Sequence, residues 1–229
     1  MMSIFDDIFY LVDKVGLSEL LGTTVFTTGV VFSTSILQVV LCLLGSILMS
    51  IKISGAHLNP LVSIGFFIVD KLTNNTNPTF LNNFDFGKYI GMQLGGALIA
   101  GGLVRLLSYK NFNIPPKLNE KEFKDLNKSP GHKFFGEMIG TMVFLSIVLA
   151  SGSVAKESGI PVPIQVIVGL YTGATIASHW SGGELNPMVS LIQMLTTRSG
   201  WSGFTNMLGQ IVGLILAIGL LILNGTINL

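Results

Sequence analysis

The chain carries one ten-residue passage twice. Ser54-Gly55-Ala56-His57-Leu58-Asn59-Pro60-Leu61-Val62-Ser63 returns as Ser181-Gly182-Gly183-Glu184-Leu185-Asn186-Pro187-Met188-Val189-Ser190. Upstream of each copy stands a second echo: Glu19 with Gly22, Thr23 and Phe26, then Glu137 with Gly140, Thr141 and Phe144. Downstream stands a third, Gln93 with Gly96 and Gln210 with Gly213. Three matched features in one order divide a single domain over residues 1–229 into two homologous halves, roughly 8–108 and 133–226, with a link over about 109–132. In a hydrophobic chain such an internal repeat points to a channel or transporter.

The chemistry of the side chains agrees. Hydrophobic residues make up 49% of the 229 and charged residues 11%, and the mean hydropathy is +0.67, far from a soluble domain. A net charge of +1 leaves no basic face to neutralise phosphates, so no nucleic-acid partner is expected. The single cysteine, Cys42, lies in an apolar run; it reads as a small buried hydrophobe, with no disulfide framework. His57, His132 and His179 are scattered, and no Ser-His-Asp spacing, metal cluster or phosphate loop appears. Neither an enzyme nor a cofactor is expected. The acidic start, Met1 to Asp7, lacks a basic n-region, so the first apolar segment reads as retained.

Full-length apolar runs fall at roughly 10–31, 34–52, 86–108, 134–152, 160–178 and 203–224, each near the ~20 residues that cross a bilayer as helix. A turn is expected near Gly29–Ser35, and polar connections over the Asn-rich 74–78 and the Lys- and Glu-bearing link. Two shorter apolar runs, Pro60–Val69 and Pro187–Leu195, are roughly 14 Å long as helix and cannot span alone. Asn is a favoured N-cap and Pro suits the first helical position, so Asn59-Pro60 and Asn186-Pro187 open half-helices. Two such half-helices entering from opposite faces meet at the membrane centre. Irregular backbone survives there only where it lines a cavity.

At these residues the sequence resembles the aquaporin and aquaglyceroporin family, the major intrinsic proteins. The resemblance covers nearly the whole chain. It implies an all-α membrane protein of six transmembrane helices plus two re-entrant half-helices in an inverted repeat, assembled as a homotetramer with one pore per subunit. It implies passive passage of water and small uncharged solutes through a lipid bilayer. Asn59 and Asn186 would stand at the central constriction, with Leu61 and Met188 beside it. Each asparagine would cap its helix with oxygen and turn amide N–H groups into the lumen, and the two helix ends would repel cations. Glu19 and Glu137 are carboxylates in apolar spans, costly unless partnered; a proton relay is one reading, support of the re-entrant loops by hydrogen bonding the stronger, with Gln93 and Gln210 in the same support. His57 is either a vestibule residue or simply a satisfied buried histidine.

The chain also departs from the family pattern. Leu61 and Met188 replace alanine, and Val189 replaces the arginine of the outer filter. Counted from the asparagines, the other filter positions fall on Val39, Ala174 and Gly183, which makes the filter wide and apolar. Ser190 stands where many glycerol facilitators have aspartate. Glu184, two residues before Asn186, reads either as an idle carboxylate in the outer vestibule or as a partner of His179 or a loop amide. The resemblance puts both termini in the cytoplasm. Loop charge favours the reverse, since Lys14, Lys52, Lys71, Lys88 and Lys156 then lie inside and the other eight of the 13 cations outside. The preferred function is a channel for water and small neutral solutes. The alternatives are one mainly for glycerol, urea, ammonia or hydrogen peroxide, and a poorly conducting structural protein plugged by Leu61 and Met188.

Overall fold

The computed structural model describes residues 13–73, 79, 83–109, 129–197 and 200–228. The acidic start, the Asn-rich run and nearly all of the charged link lie outside them. The described residues form eight helices and no strand. In chain order these are α1 (Lys14–Phe32), α2 (Ile36–Ser54), α3 (Pro60–Leu72), α4 (Asn83–Tyr109), α5 (Pro130–Ser158), α6 (Val162–Ser178), α7 (Pro187–Thr197) and α8 (Gly200–Leu223).

Local chemistry sets the ends. The Asp13 carboxylate accepts from the Gly16 N–H at 2.7 Å and caps α1, and Ser35 caps α2 by accepting from the Gln38 N–H at 3.3 Å. Helix α2 stops at Gly55, whose φ of +82° suits glycine. The turn between α1 and α2 is shorter than the sequence suggests. Gly29 lies inside α1, and its lack of a Cβ lets α2 approach closely: a Cβ there would lie 2.6 Å from Cys42 Sγ; only Ser33 to Ser35 connect the helices.

Among the described residues five helices are long and apolar enough to cross a membrane: α1, α2, α4, α5 and α8. The sixth, α6, has 17 residues, at the short end of the spanning range. Helices α3 and α7, of 13 and 11 residues, reach about 20 and 16 Å and stop within the bundle. Leu41, Leu48, Val168 and Ile215 stand exposed on the outer faces, as suits helices solvated by lipid rather than water.

The two halves repeat one packing scheme. Helix α1 lies along α4, and α5 along α8. The downstream echo explains how: a Cβ on Gly96 would sit 2.5 Å from Leu20 O, and one on Gly213 2.6 Å from Met138 O. Only glycine lets these backbones approach. The half-helices then cross over, α3 packing on α5 and α8 of the second half and α7 on α1 and α4 of the first. Neither half is complete without the other.

Candidate pore

The amino ends of α3 and α7 meet through their asparagines. Asn59 Oδ1 accepts from the Leu61 N–H at 2.9 Å and Asn186 Oδ1 from the Met188 N–H at 2.9 Å, each capping its own helix. Each amide nitrogen reaches across to the opposite loop. Asn59 Nδ2 donates to Leu185 O at 2.9 Å, and Asn186 Nδ2 donates to Leu58 O at 3.0 Å. One N–H of each amide thus locks the two loops together, a use beyond the lumen-facing role expected from the resemblance.

The loops themselves are strained. Leu58 and Leu185 have φ of +52° and +51°, Ala56 and Gly183 +57° and +69°, Gly55 and Gly182 +82° and +105°. Left-handed backbone at a non-glycine residue costs roughly 1–2 kcal/mol and needs outside support. Two buried carboxylates supply it. Glu19 accepts from the His57 and Leu58 N–H groups at 2.9 and 2.8 Å, from Ser54 Oγ at 2.6 Å and from Gln93 Nε2 at 2.8 Å. Glu137 accepts from the Glu184 and Leu185 N–H groups at 2.9 and 2.8 Å, from Ser181 Oγ at 2.6 Å and from Gln210 Nε2 at 2.7 Å. Both leucines are thus held at N–H by a carboxylate and at C=O by the far asparagine.

Behind each loop the same polar chain continues. Gln93 Nε2 also donates to Ser63 Oγ at 3.1 Å, and Ser63 Oγ lies 3.0 Å from His57 Nδ1. Gln210 Nε2 donates to Ser190 Oγ at 3.0 Å, and Ser190 Oγ donates to Glu184 Oε2. Glu184 is therefore hydrogen-bonded rather than idle, with Ser190 and the Asn206 side chain as its partners. It is 8% exposed, as is His57. Ser63 and Ser190 occupy the same place in the two copies of the passage, which is the signal the sequence offers for this pairing.

Against the first loop lies a cavity of about 230 Å³. Its walls are largely apolar, including Phe26, Leu43, Phe66, Phe144 and Val166, with His57, Asn59 and Asn186 as polar edges. That is room for several waters. Leu61 and Met188 do not line it. Leu61 is buried in the cluster with Leu214, Ala217 and Ile218, and Met188 in the one with Val31, Ala97 and Ala100. Ala174 and Val189 are buried in the larger cluster, with half-buried Val39 packed on it. A Cβ on Gly183 would stand 2.7 Å from Ala174 O. Cys42 is half-buried and does not line the cavity.

Two cations have structural work. Arg105 donates to Leu195 O at 3.0 Å, in the last turn of α7, where positive charge complements the helix end. Lys88 is not a loop lysine: it is 4% exposed and lies 2.7 Å from Asp13 and 3.6 Å from Asp85. Burial raises the Asp13 pKa, but the Gly16 N–H and the Lys88 ammonium outweigh it and hold the carboxyl below its ordinary value.

The family model described as major intrinsic protein matches residues 8–222. The chain belongs to the major intrinsic protein family. It is thus an integral, multi-pass membrane protein and a passive channel for water and small neutral solutes; proteins of this family are channels rather than enzymes. Among solved structures it is similar to the aquaglyceroporin from Plasmodium falciparum, with a TM-score of 0.67 at 22% identity, over 91% of this chain and 94% of that one. That likeness shows the aquaporin fold, six spans and two re-entrant half-helices. No curated protein matches the chain.

Proposed function

We propose that the channel passes solutes larger than water along a path from the cavity beside His57, between Asn59 and Asn186, to an apolar exit bounded by Val39, Ala174, Gly183 and Val189. The observation that carries this reading is the reciprocal asparagine lock. It brings two helix amino ends, each equivalent to roughly half a positive charge, to one point and leaves one N–H per amide free for a passing oxygen. A water or solute oxygen accepting there is oriented, which interrupts a proton wire, and the helix ends repel cations. The packing of Leu61 and Met188 away from the cavity supports an open constriction. With Val189 at the exit, no guanidinium narrows it. Both termini face the cytoplasm and four copies assemble, on the family resemblance. Lys88 is neutralised by Asp13, so it adds little to the loop-charge signal.

Osmotic shrinkage of proteoliposomes tests this. Water permeability should exceed that of empty liposomes, and urea or glycerol should enter faster as well. No rise in water permeability would overturn the channel reading; water without either larger solute would overturn the wide exit.

A further inference from the structure

A serine stands four residues after each asparagine, and each is bonded on two sides. In the second half Ser190 Oγ accepts from Gln210 Nε2 at 3.0 Å and donates to the Glu184 carboxylate. In the first half Ser63 Oγ lies 3.1 Å from Gln93 Nε2 and 3.0 Å from His57 Nδ1. An imidazole, unlike a carboxylate, can give or take at either nitrogen according to its tautomer. Counting protons along the first chain decides which tautomer is held.

The count starts at Glu19. Its two oxygens accept from the His57 and Leu58 N–H groups, from Ser54 Oγ and from Gln93. A carboxylate only accepts, so the Gln93 atom 2.8 Å away is the amide nitrogen, and the flipped amide is excluded. That same nitrogen gives its second N–H to Ser63 Oγ. Among the described residues the Ser63 hydroxyl has one further partner, His57 Nδ1. Were Nδ1 protonated, two donors would face one oxygen, and the Ser63 proton would be left unpaired at a fully buried position. The hydroxyl therefore donates to a bare Nδ1, and the proton of the neutral ring stands on Nε2.

The far side of the ring is turned toward the cavity. A Cβ on Gly55 would lie 3.8 Å from both His57 Cδ2 and Nε2, and Gly55 and His57 both line the cavity. Phe66 stacks on the ring at 5.2 Å and Tyr89 stands tilted to it at 4.9 Å, so the plane cannot turn over without moving two aromatic neighbours.

We propose that Ser63 is a positioning residue for the pore: it fixes His57 as the Nε2–H tautomer, so that the imidazole meets the cavity as a hydrogen-bond donor. An oxygen in the cavity then finds a donor before it reaches the asparagine amides, and is turned in the sense they require. That consequence rests on the channel reading, whereas the tautomer does not.

The test is heteronuclear NMR of protein labelled at the histidine ring nitrogens. His132→Gln and His179→Gln leave His57 as the single histidine of the chain. The spectrum should show Nε2 with a directly bonded proton and Nδ1 bare. Ser63→Ala removes one hydrogen bond of ordinary strength, so the excess of the Nε2–H form should fall up to about tenfold. Ser63→Thr keeps the hydroxyl and should match wild type; it decides, with the wild-type spectrum, if Ser63→Ala does not fold. Water permeability of Ser63→Ala should drop roughly twofold or more as the donor is lost part of the time. A proton on Nδ1, protons on both nitrogens, or a Ser63→Ala tautomer ratio equal to wild type would each overturn the proposal. Permeability that falls while the ratio stays unchanged would make Ser63 a merely structural residue and overturn it too. A wild type that passes no water, with the spectrum as expected, would overturn the channel reading and leave the tautomer assignment standing.

Discussion

Replacing Glu19 with Ala should open the first loop. The substitution removes the acceptor of four hydrogen bonds, two of them from the His57 and Leu58 backbone. A hydrogen bond to a charged group contributes roughly 1.5–3 kcal/mol, so the two backbone bonds hold the loop by about 3–6 kcal/mol. Against them stand Ala56 and Leu58, left-handed at +57° and +52°, whose strain is roughly 2–4 kcal/mol together. Support and strain are close in size, and without the carboxylate the strain wins. Leu58 O then moves from Asn186, so the distant asparagine loses its partner too. Glu19→Gln keeps one acceptor oxygen and should retain part of the effect. Shrinkage assays should show Glu19→Ala water permeability at or near the empty-liposome level and Glu19→Gln between it and wild type. Thermal melting in detergent should fall in the same order. Glu137→Ala should behave alike, because its partners match. Wild-type permeability in Glu19→Ala would refute the argument that the carboxylate holds the loop.

Val189→Arg places a cation at a 3%-exposed position of the exit; glycerol and urea flux should fall at least fivefold more than water flux (roughly 1 kcal/mol of discrimination), and equal losses would remove Val189 from the filter. Mercurials should inhibit weakly, since the Cys42 thiol lies against Gly29 between α1 and α2; strong inhibition abolished by Cys42→Ser would place the thiol in the lumen. Gly213→Val should destabilise by a few kcal/mol, because its side chain would meet Met138 O and Thr141; unchanged melting would contradict the close approach. Asp13 has a depressed folded pKa, so its contribution is present above the ordinary carboxylate value of 3.8 and is lost as pH falls through the folded value. The melting difference between wild type and Asp13→Asn should accordingly be constant near neutrality, begin to shrink below about pH 4 and vanish only below the folded value; a difference that does not shrink with falling pH would exclude the ion pair as its cause.

Helix positions were legible because apolar length and Asn-Pro starts are local properties. Pro60 and Pro187 open α3 and α7 as their residue types require. What failed was whatever depends on a neighbour distant in sequence. Gly29 reads as a turn former, yet it lies inside α1, where the missing Cβ makes room for Cys42. Lys88 reads as a loop cation until Asp13, 75 positions away, is found beside it. Glu184 reads in sequence as an idle carboxylate or a partner of His179 or a loop amide, whereas the left-handed backbone at Leu185 folds the loop so that Ser190 donates to the carboxylate. Asn206 gave no sign at all: its side-chain hydrogen bond to Glu184 joins residues 22 positions apart on different elements.

The asparagine lock also has a bearing on biogenesis. Asn59 completes its cap early in synthesis, but the carbonyl its amide needs lies 126 residues further along the chain. At roughly 5–20 residues per second, a ribosome needs about 6–25 s to deliver it. Over that interval α3 has neither α5 nor α8 to rest against, and the amide of Asn59 has no Leu185 carbonyl to meet. The newborn first half must wait as an unfinished wedge in the translocation machinery or the bilayer, and the conduit comes into being only when the second half arrives.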